Sequence, residues 1–234
     1  MRRSRRRNKV KAVVVLSGGQ DSALCLALAC RRFGSSEVAA ITFSYGQRHA
    51  VELKSAKRLA KKFGITTHNV VKLGFYSQIT SNALMTPGAE IRPVRGPRTA
   101  NRVTPPNTVV EGRNAIFLQI AAVWAKSLGA TSVYTGVSQT DYSGYPDCRA
   151  PFIRAQQRSI RLALDYPITI VTPFMYKTKA EEWALADRLG LLDYINTNTV
   201  TCYDGVPGAG CGKCPACRLR NRGLAEYLKT KRPR

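Results

Sequence analysis

The stretch that decides the fold is Leu16–Cys25, LSGGQDSALC, preceded directly by Ala12-Val13-Val14-Val15. Small and β-branched apolar residues in an unbroken run read as a strand buried on both faces, as in a parallel sheet covered by helices. Gly18 and Gly19 permit a tight turn that presents backbone N–H groups outward. From Asp21 the residues favour a helix that runs to Phe33 and stops at Gly34. Strand, glycine turn and helix make an anion site, because the positive helix end and the turn amides converge on one point. Ser17 and Ser22 add hydroxyl donors, and Asp21 offers a carboxylate for Mg²⁺ beside bound phosphates. The loop has neither the lysine of GxxxxGK[ST] nor the spacing of GxGxxG, so it is not a P-loop or a dinucleotide turn. The plainer alternative is a turn plus a helix cap. A place at the carboxyl end of a parallel strand, where open sheets bind ligands, favours the phosphate site.

Outward from this stretch the strand–helix alternation continues. Val38–Phe43 reads as a strand, residues 49–63 as a helix with Leu53, Ala56, Ala60 and Phe63 on one face, and Thr66–Val71 as a third strand. The alternation predicts right-handed crossovers and an α/β, Rossmann-like, doubly wound parallel sheet. Residues 74–108, with Pro87, Pro93, Pro97, Pro105 and Pro106, are expected to form a long loop, either disordered or a lid. A buried helix over 112–128, a strand over 131–137, an arginine-rich helix over 151–164 and a short strand at Ile168–Val171 follow. Helices over 178–189 and near 219–228 close the chain. The expected organisation is a disordered basic tail at 1–9, one α/β domain at 10–195, a cysteine-bearing subdomain at 196–228 and a basic tail at 229–234.

The sequence Thr201–Arg220, TCYDGVPGAGCGKCPACRLR, holds Cys202, Cys211, Cys214 and Cys217 in a C-x8-C-x2-C-x2-C spacing. Four thiolates so close in sequence fit a closed, structural Zn²⁺ site that folds a segment with little core of its own. An iron–sulfur cluster is the rival; it is disfavoured because its usual fourth cysteine would follow Cys217, and here the fourth lies upstream. Of the remaining cysteines, Cys25 and Cys30 sit in an apolar segment and read as core filling.

Lys and Arg number 37 against 14 Asp and Glu, for a net charge of +23. Ten of these basic residues lie in the two tails, so the body is basic too. Such charge suits a nucleic acid, but the favoured reading is a basic host proteome with attraction for an anionic small substrate, because basic runs without interleaved aromatics mark no specific site. No apolar run reaches the ~20 residues of a membrane span, and a soluble, cytoplasmic protein is expected.

Between the two motifs lies Thr135–Cys148, TGVSQTDYSGYPDC, followed by Arg149. Its tyrosines can stack on a flat heterocycle, and its aspartates can accept from ring N–H and amino groups, as a guanine-like edge requires. An ordered surface loop is the alternative.

SGGQDS resembles the SGGxDS signature of the PP-loop ATP pyrophosphatases, which grip the pyrophosphate leaving group of ATP and adenylate their substrate. Taken with YGQRH (Tyr45–His49), EGRN (Glu111–Asn114), DYSGYPDCR (Asp141–Arg149), TKAE (Thr178–Glu181) and CGKCPACRLR, the chain resembles the 7-cyano-7-deazaguanine synthases of queuosine biosynthesis, the QueC family, over about 11–228. The resemblance implies a PP-loop, HUP-type fold and an ATP-dependent carbon–nitrogen ligase. Its substrate would be 7-carboxy-7-deazaguanine and its nitrogen source free ammonium. By the same resemblance the acid would be adenylated and aminated to the amide, then adenylated again to release the nitrile, and the enzyme would be a homodimer. Carried over, Leu16, Ser17, Gly18, Gly19, Gln20, Asp21, Ser22, Ala23, Leu24, Cys25 and Leu26 would bind ATP, and Cys202, Cys211, Cys214 and Cys217 would bind zinc. Arg113, Asn114, Asp141, Tyr142, Tyr145, Asp147 and Arg149 would frame the substrate. Lys179 would neutralise phosphate charge, although a lysine at a helix start is ordinarily solvated.

The chain departs from the family pattern at Glu111, Gln139 and Ala150, which bears on completion to the nitrile more than on ATP binding. The competing readings are a relative that stops at the amide and a basic, zinc-bearing nucleic-acid-binding protein. The second gives no reason for an intact SGGQDS.

Overall fold

The computed structural model describes residues 9–47, 51–80, 82–86, 89–90, 107–140 and 145–231. The tail 1–8, His49, the 91–106 portion of the long loop, Asp141, Tyr142 and residues 232–234 lie outside the described residues. In chain order the elements are β1 (Ala12–Val15), α1 (Gln20–Phe33), β2 (Val38–Ser44), α2 (Val51–Lys62), β3 (Thr67–Lys72) and the short α3 (Tyr76–Ile79). There follow α4 (Arg113–Leu128), β4 (Ser132–Tyr134), α5 (Ala150–Leu164), β5 (Thr169–Val171), α6 (Lys179–Arg188), α7 (Leu192–Asn198) and α8 (Pro215–Lys231).

The five strands form one parallel sheet in the order β3-β2-β1-β4-β5, the doubly wound arrangement expected. β1 is central, with Val13 opposite Ala39 on one side and Val133 on the other. Strand side chains alternate between faces, so each face builds its own core. Val13, Ala39, Ile41 and Val133 pack with Phe117, Leu118, Ala121 and Ala122 of α4 and Ile153 and Ile160 of α5. Ala12, Val14 and Ala40 pack on the opposite face with Leu24 of α1, Leu59 of α2, Trp183 of α6 and Ile195 of α7. The result is a helix–sheet–helix sandwich whose chain reverses direction across the sheet between β1 and β4, where open sheets leave a ligand crevice.

Where the elements differ from expectation, tertiary context supplies the reason. β4 ends at Tyr134, not 137, because the chain leaves the sheet there to pack Gly136 against Asp21 and Ser22. α4 buries one face and leaves Val123 50% exposed, so it is not enclosed all round. α8 begins at Pro215, earlier than expected, since proline suits the first helical turn and Cys217 falls inside the helix. Within 74–108, α3 is helical, and Ala83 N–H donates to the Asn107 carbonyl at 2.9 Å, drawing the two ends of the stretch together. Among the described residues no helix is long and apolar enough to cross a membrane.

Candidate functional site

The glycine turn expected to bind phosphate is fixed from both sides. Leu16 N–H donates to the Ile41 carbonyl at 2.8 Å, and Thr42 Oγ1 donates to the Leu16 carbonyl at 2.7 Å, so β2 holds the end of β1. Gly18 has φ +92°, and a Cβ there would stand 2.5 Å from the Glu52 carbonyl and 3.0 Å from the Ala56 nitrogen. Only glycine lets α2 approach so closely. The Gly18 carbonyl accepts from Val200 N–H and from Ser55 Oγ, both at 2.9 Å. Gly19 opens α1 without a side-chain cap. Ser17 Oγ donates to Ser22 Oγ at 3.1 Å, and Ser22 Oγ donates to the Gly19 carbonyl at 3.0 Å, so both hydroxyls stand on the turn. Ala23, Leu24, Cys25 and Leu26 are wholly buried behind it and serve as support. Burial pushes the Cys25 thiol up, which makes it an inert core thiol.

Lys179 is not solvated. It is 7% exposed, and its ammonium lies 2.8 Å from Asp21 Oδ1 and 2.9 Å and 3.1 Å from the two oxygens of Glu182. The α6 start holds it there through a capping box, in which Thr178 and Glu181 satisfy each other's backbone N–H groups. Glu182 is fully buried, and desolvation with Asp21 beside it pushes its carboxyl up against the pull of Lys179. Gln20 Nε2 donates to Glu182 Oε2 at 3.5 Å, tying the first residue of α1 to the same group. A cation and a carboxylate thus meet at the anion loop, supported by a second carboxylate closed to solvent.

Arg220 of α8 reaches the loop from the other side. It is 1% exposed and donates to Thr199 Oγ1 at 2.7 Å, Thr201 Oγ1 at 2.9 Å, and the carbonyls of Ile195 at 3.0 Å and Asn196 at 3.1 Å. Its guanidinium stacks 5.1 Å from the centre of the Trp183 ring, and Trp183 Nε1 donates to the Arg220 carbonyl at 3.1 Å. Thr201 Oγ1 in turn accepts from Gln20 N–H at 3.4 Å. Burial pushes Arg220 down to about 10, with Asp21 opposing.

A second group of side chains gathers at the carboxyl ends of β2 and β4. Arg113, the first residue of α4, donates from Nη1 to the Tyr45 hydroxyl at 3.2 Å and lies 5.8 Å over its ring. The Tyr45 ring packs at 5.4 Å on Phe117 and 6.3 Å on Tyr76. Tyr145 shares a hydrogen bond of 2.7 Å with Thr108 Oγ1 and one of 3.5 Å with Tyr203, the residue after Cys202. Asp147 caps α4: its Oδ2 accepts from Asn114 N–H at 2.9 Å, while Asn114 Nδ2 donates to the Asp147 carbonyl at 3.4 Å and to Cys148 Sγ at 3.3 Å. Asn114 and Asp147 therefore hold each other and orient Arg113. Arg149 is exposed at the start of α5. Gln139 Oε1 accepts from Ala150 N–H at 3.0 Å, so two of the departures from the family pattern meet at the first turn of α5.

The four cysteines come together. Their sulfurs all lie within 4.8 Å of one another, and Gly210, at φ +73°, leaves space that a Cβ would take from Cys217 Sγ. Tetrahedral Zn–S bonds of about 2.3 Å set sulfurs roughly 3.7 Å apart, so the donor set fits that ion with small adjustment. Backbone N–H groups of Asp204, Cys214 and Cys217 donate to Cys202, Cys211 and Cys214 at 3.3, 3.4 and 3.5 Å, the usual support for thiolates.

Four residues of this site escaped the sequence reading: Glu52, Glu182, Thr201 and Arg220. Glu182 follows TKAE directly and Arg220 ends CRLR, so both lay at motif edges without a pattern of their own to mark them. Thr201 likewise opens the cysteine motif, directly before Cys202, and Glu52 carried no such signal.

The family model of the queuosine biosynthesis protein QueC matches residues 11–228. Among solved structures, NMN synthetase from Francisella tularensis is similar, with a TM-score of 0.51 at 12% identity, over 96% of this chain and 87% of that one. At this identity the likeness speaks for the fold alone. NH3-dependent NAD synthetase from Campylobacter jejuni gives a TM-score of 0.47 at 16% identity, over 96% and 88% of the two chains. A 4-thiouridine synthetase bound to RNA and ATP gives 0.49 at 18% identity, over 94% of this chain and 50% of that one. With its glycine turn at the sheet's carboxyl edge, its four-cysteine cluster and this match over nearly its whole length, the chain belongs to the QueC family of queuosine biosynthesis proteins.

Proposed function

We propose that the protein is an ATP-dependent carbon–nitrogen ligase that converts 7-carboxy-7-deazaguanine and ammonia into 7-cyano-7-deazaguanine, releasing AMP and pyrophosphate. The observation that carries this reading is the junction of Lys179 and Asp21 at the Gly18–Ser22 turn in a QueC-family chain. An anion loop with an ammonium at one side suits the β,γ-phosphates of ATP as they leave, and Asp21 suits the accompanying Mg²⁺. A carboxylate is a poor electrophile, so its oxygen is adenylated first. Ammonia then displaces AMP to give the amide, and a second adenylation, on the amide oxygen, lets AMP depart to leave the nitrile. Arg113, lined by Tyr45 and Tyr145, suits the anionic end of the substrate, and the tyrosine rings suit its flat bicycle. In the four-cysteine cluster, Zn²⁺ would have a structural role: a closed thiolate shell leaves no position for substrate.

The test is mass spectrometry of the products formed from 7-carboxy-7-deazaguanine, ATP, Mg²⁺ and ammonium, with AMP counted. Nitrile with two AMP per product is expected. Amide with one AMP would assign the chain to a relative that stops halfway, and no AMP from zinc-loaded protein would refute a ligase.

A further inference from the structure

Four carboxylates come together around the site among the described residues, and three are already engaged. Asp21 and Glu182 hold Lys179, and Asp147 caps α4. The fourth, Glu52, has neither an ion pair within 4.0 Å nor a side-chain hydrogen bond among the described residues. It sits in the first turn of α2, where its own carbonyl closes on Gly18, so it adjoins the phosphate loop. Its side chain lies near the Arg113 guanidinium of α4, whose charge opposes the rise that burial gives its carboxyl, and near Tyr45 just beyond β2. Arg113 likewise has no carboxylate within 4.0 Å among the described residues, and its one side-chain hydrogen bond there goes to Tyr45. Opposite charges share one half-buried corner without closing on each other, with an aromatic wall of Tyr45, Phe117 and Tyr76 beside them.

The proposed reaction needs two things at this point: a cation for the acyl oxygen, and a base for the nitrogen source, since ammonium has no lone pair until it loses a proton. We propose that Glu52 is the catalytic residue that binds ammonium and takes its proton, while Arg113 holds the acyl oxygen of the adenylate. This inference rests on the ligase reading above. An N–H bond of ammonium breaks and an O–H bond forms on Glu52. The freed lone pair makes the C–N bond, the C–O bond to AMP breaks with its electron pair leaving on the AMP phosphate, and the surplus proton on nitrogen passes to that phosphate or to water. Burial raises the Glu52 carboxyl to about 7, with Arg113 opposing, which strengthens it as a base relative to an exposed glutamate. The competing role is recognition: an ionised Glu52 could accept from the N–H edge of the deazaguanine ring.

Glu52→Gln separates the two roles. Acid-dependent exchange of labelled pyrophosphate into ATP reports adenylation without ammonia and also shows that the variant is folded. If Glu52 is the base, the variant keeps exchange within about threefold, while kcat/KM for ammonium falls ~10²-fold or more. Hydroxylamine, already neutral at neutral pH, then restores product as the hydroxamate at a rate near wild type. Loss of exchange through a raised KM for the acid would overturn the proposal in favour of ring recognition, and an unchanged rate with ammonium would overturn it outright. Absence of exchange in the wild-type protein would instead refute the ligase reading itself. Glu52→Asp, with the acid kept and withdrawn by one methylene, is expected to fall between wild type and Glu52→Gln with ammonium.

Discussion

Arg220→Met removes the guanidinium that joins the cysteine-bearing helix to the phosphate loop while keeping most of the side chain's length. Of its four acceptors, Thr199 Oγ1 and the Ile195 carbonyl retain each other at 2.7 Å after the substitution. The Asn196 carbonyl loses its Arg220 donor, and Thr201 Oγ1 is left with Gln20 N–H alone. Each of these partly buried groups left short of a partner costs roughly 1–2 kcal/mol. Part of that is offset, because the variant no longer buries a cation whose Nε has no hydrogen-bond partner among the described residues. The net loss is about 2–3 kcal/mol, which for a chain of this size lowers Tm by roughly 5–10 °C. ATP binding supplies a second, separate readout. Thr201 positions the first amide of α1, so a slackened Thr201 should weaken ATP about tenfold, or ~1.4 kcal/mol. Thermal unfolding and calorimetric titration of ATP, well below the variant's Tm, measure the two effects. A fall in Tm with ATP affinity unchanged within twofold would refute the coupling and leave α8 as a fold-stabilising helix only.

Gly18→Ala forces a side chain onto a backbone at φ +92° and against the Glu52 carbonyl; ATP affinity should fall more than tenfold in titration calorimetry, and an unaltered affinity would contradict the packing described. Elemental analysis should find one zinc per chain, and removing it with a chelator should lower both Tm and ATP affinity, because Cys217 and Arg220 share one helix. Retention of both after metal loss would count against this. Glu52 supplies a pH signature: its carboxyl, raised to about 7 by burial with Arg113 opposing, binds its proton more tightly in the folded than in the unfolded chain. The stability this contributes is present at low pH and lost as pH rises through about 7, with Arg113 and Tyr45 the charged and titratable groups near it among the described residues. Glu52→Gln should therefore match wild type in Tm near pH 5 and exceed it near pH 8; a constant difference would refute the raised value.

Much of this architecture was legible before any coordinates. Ala12–Val15 could only be buried on both faces, and the glycine pair after it had to be a turn at the strand's carboxyl end. That alone placed the glycine turn at the ligand-facing edge and implied the sheet. The cysteines announced themselves by spacing. What the sequence could not carry was convergence. Lys179 reads as an ordinary helix-start lysine, and only the crossing of α6 behind α1 puts it between Asp21 and Glu182. Arg220 reads as one basic residue among 37, and only the packing of α8 on α6 buries it. Asn114 and Asp147, read as substrate contacts, lie 33 residues apart in sequence and meet as a helix cap. Glu52 lacks any local pattern, because its significance comes from neighbours on β2 and α4.

The proposed chemistry makes one specific demand: both carboxylate oxygens of the acid must leave on AMP. With 7-carboxy-7-deazaguanine labelled with ¹⁸O in both carboxylate positions, the protein should release two AMP for each nitrile, each AMP carrying one labelled oxygen in its phosphate. Unlabelled AMP, or ADP and phosphate in its place, would contradict adenylation at this loop and with it the proposed ligase reaction.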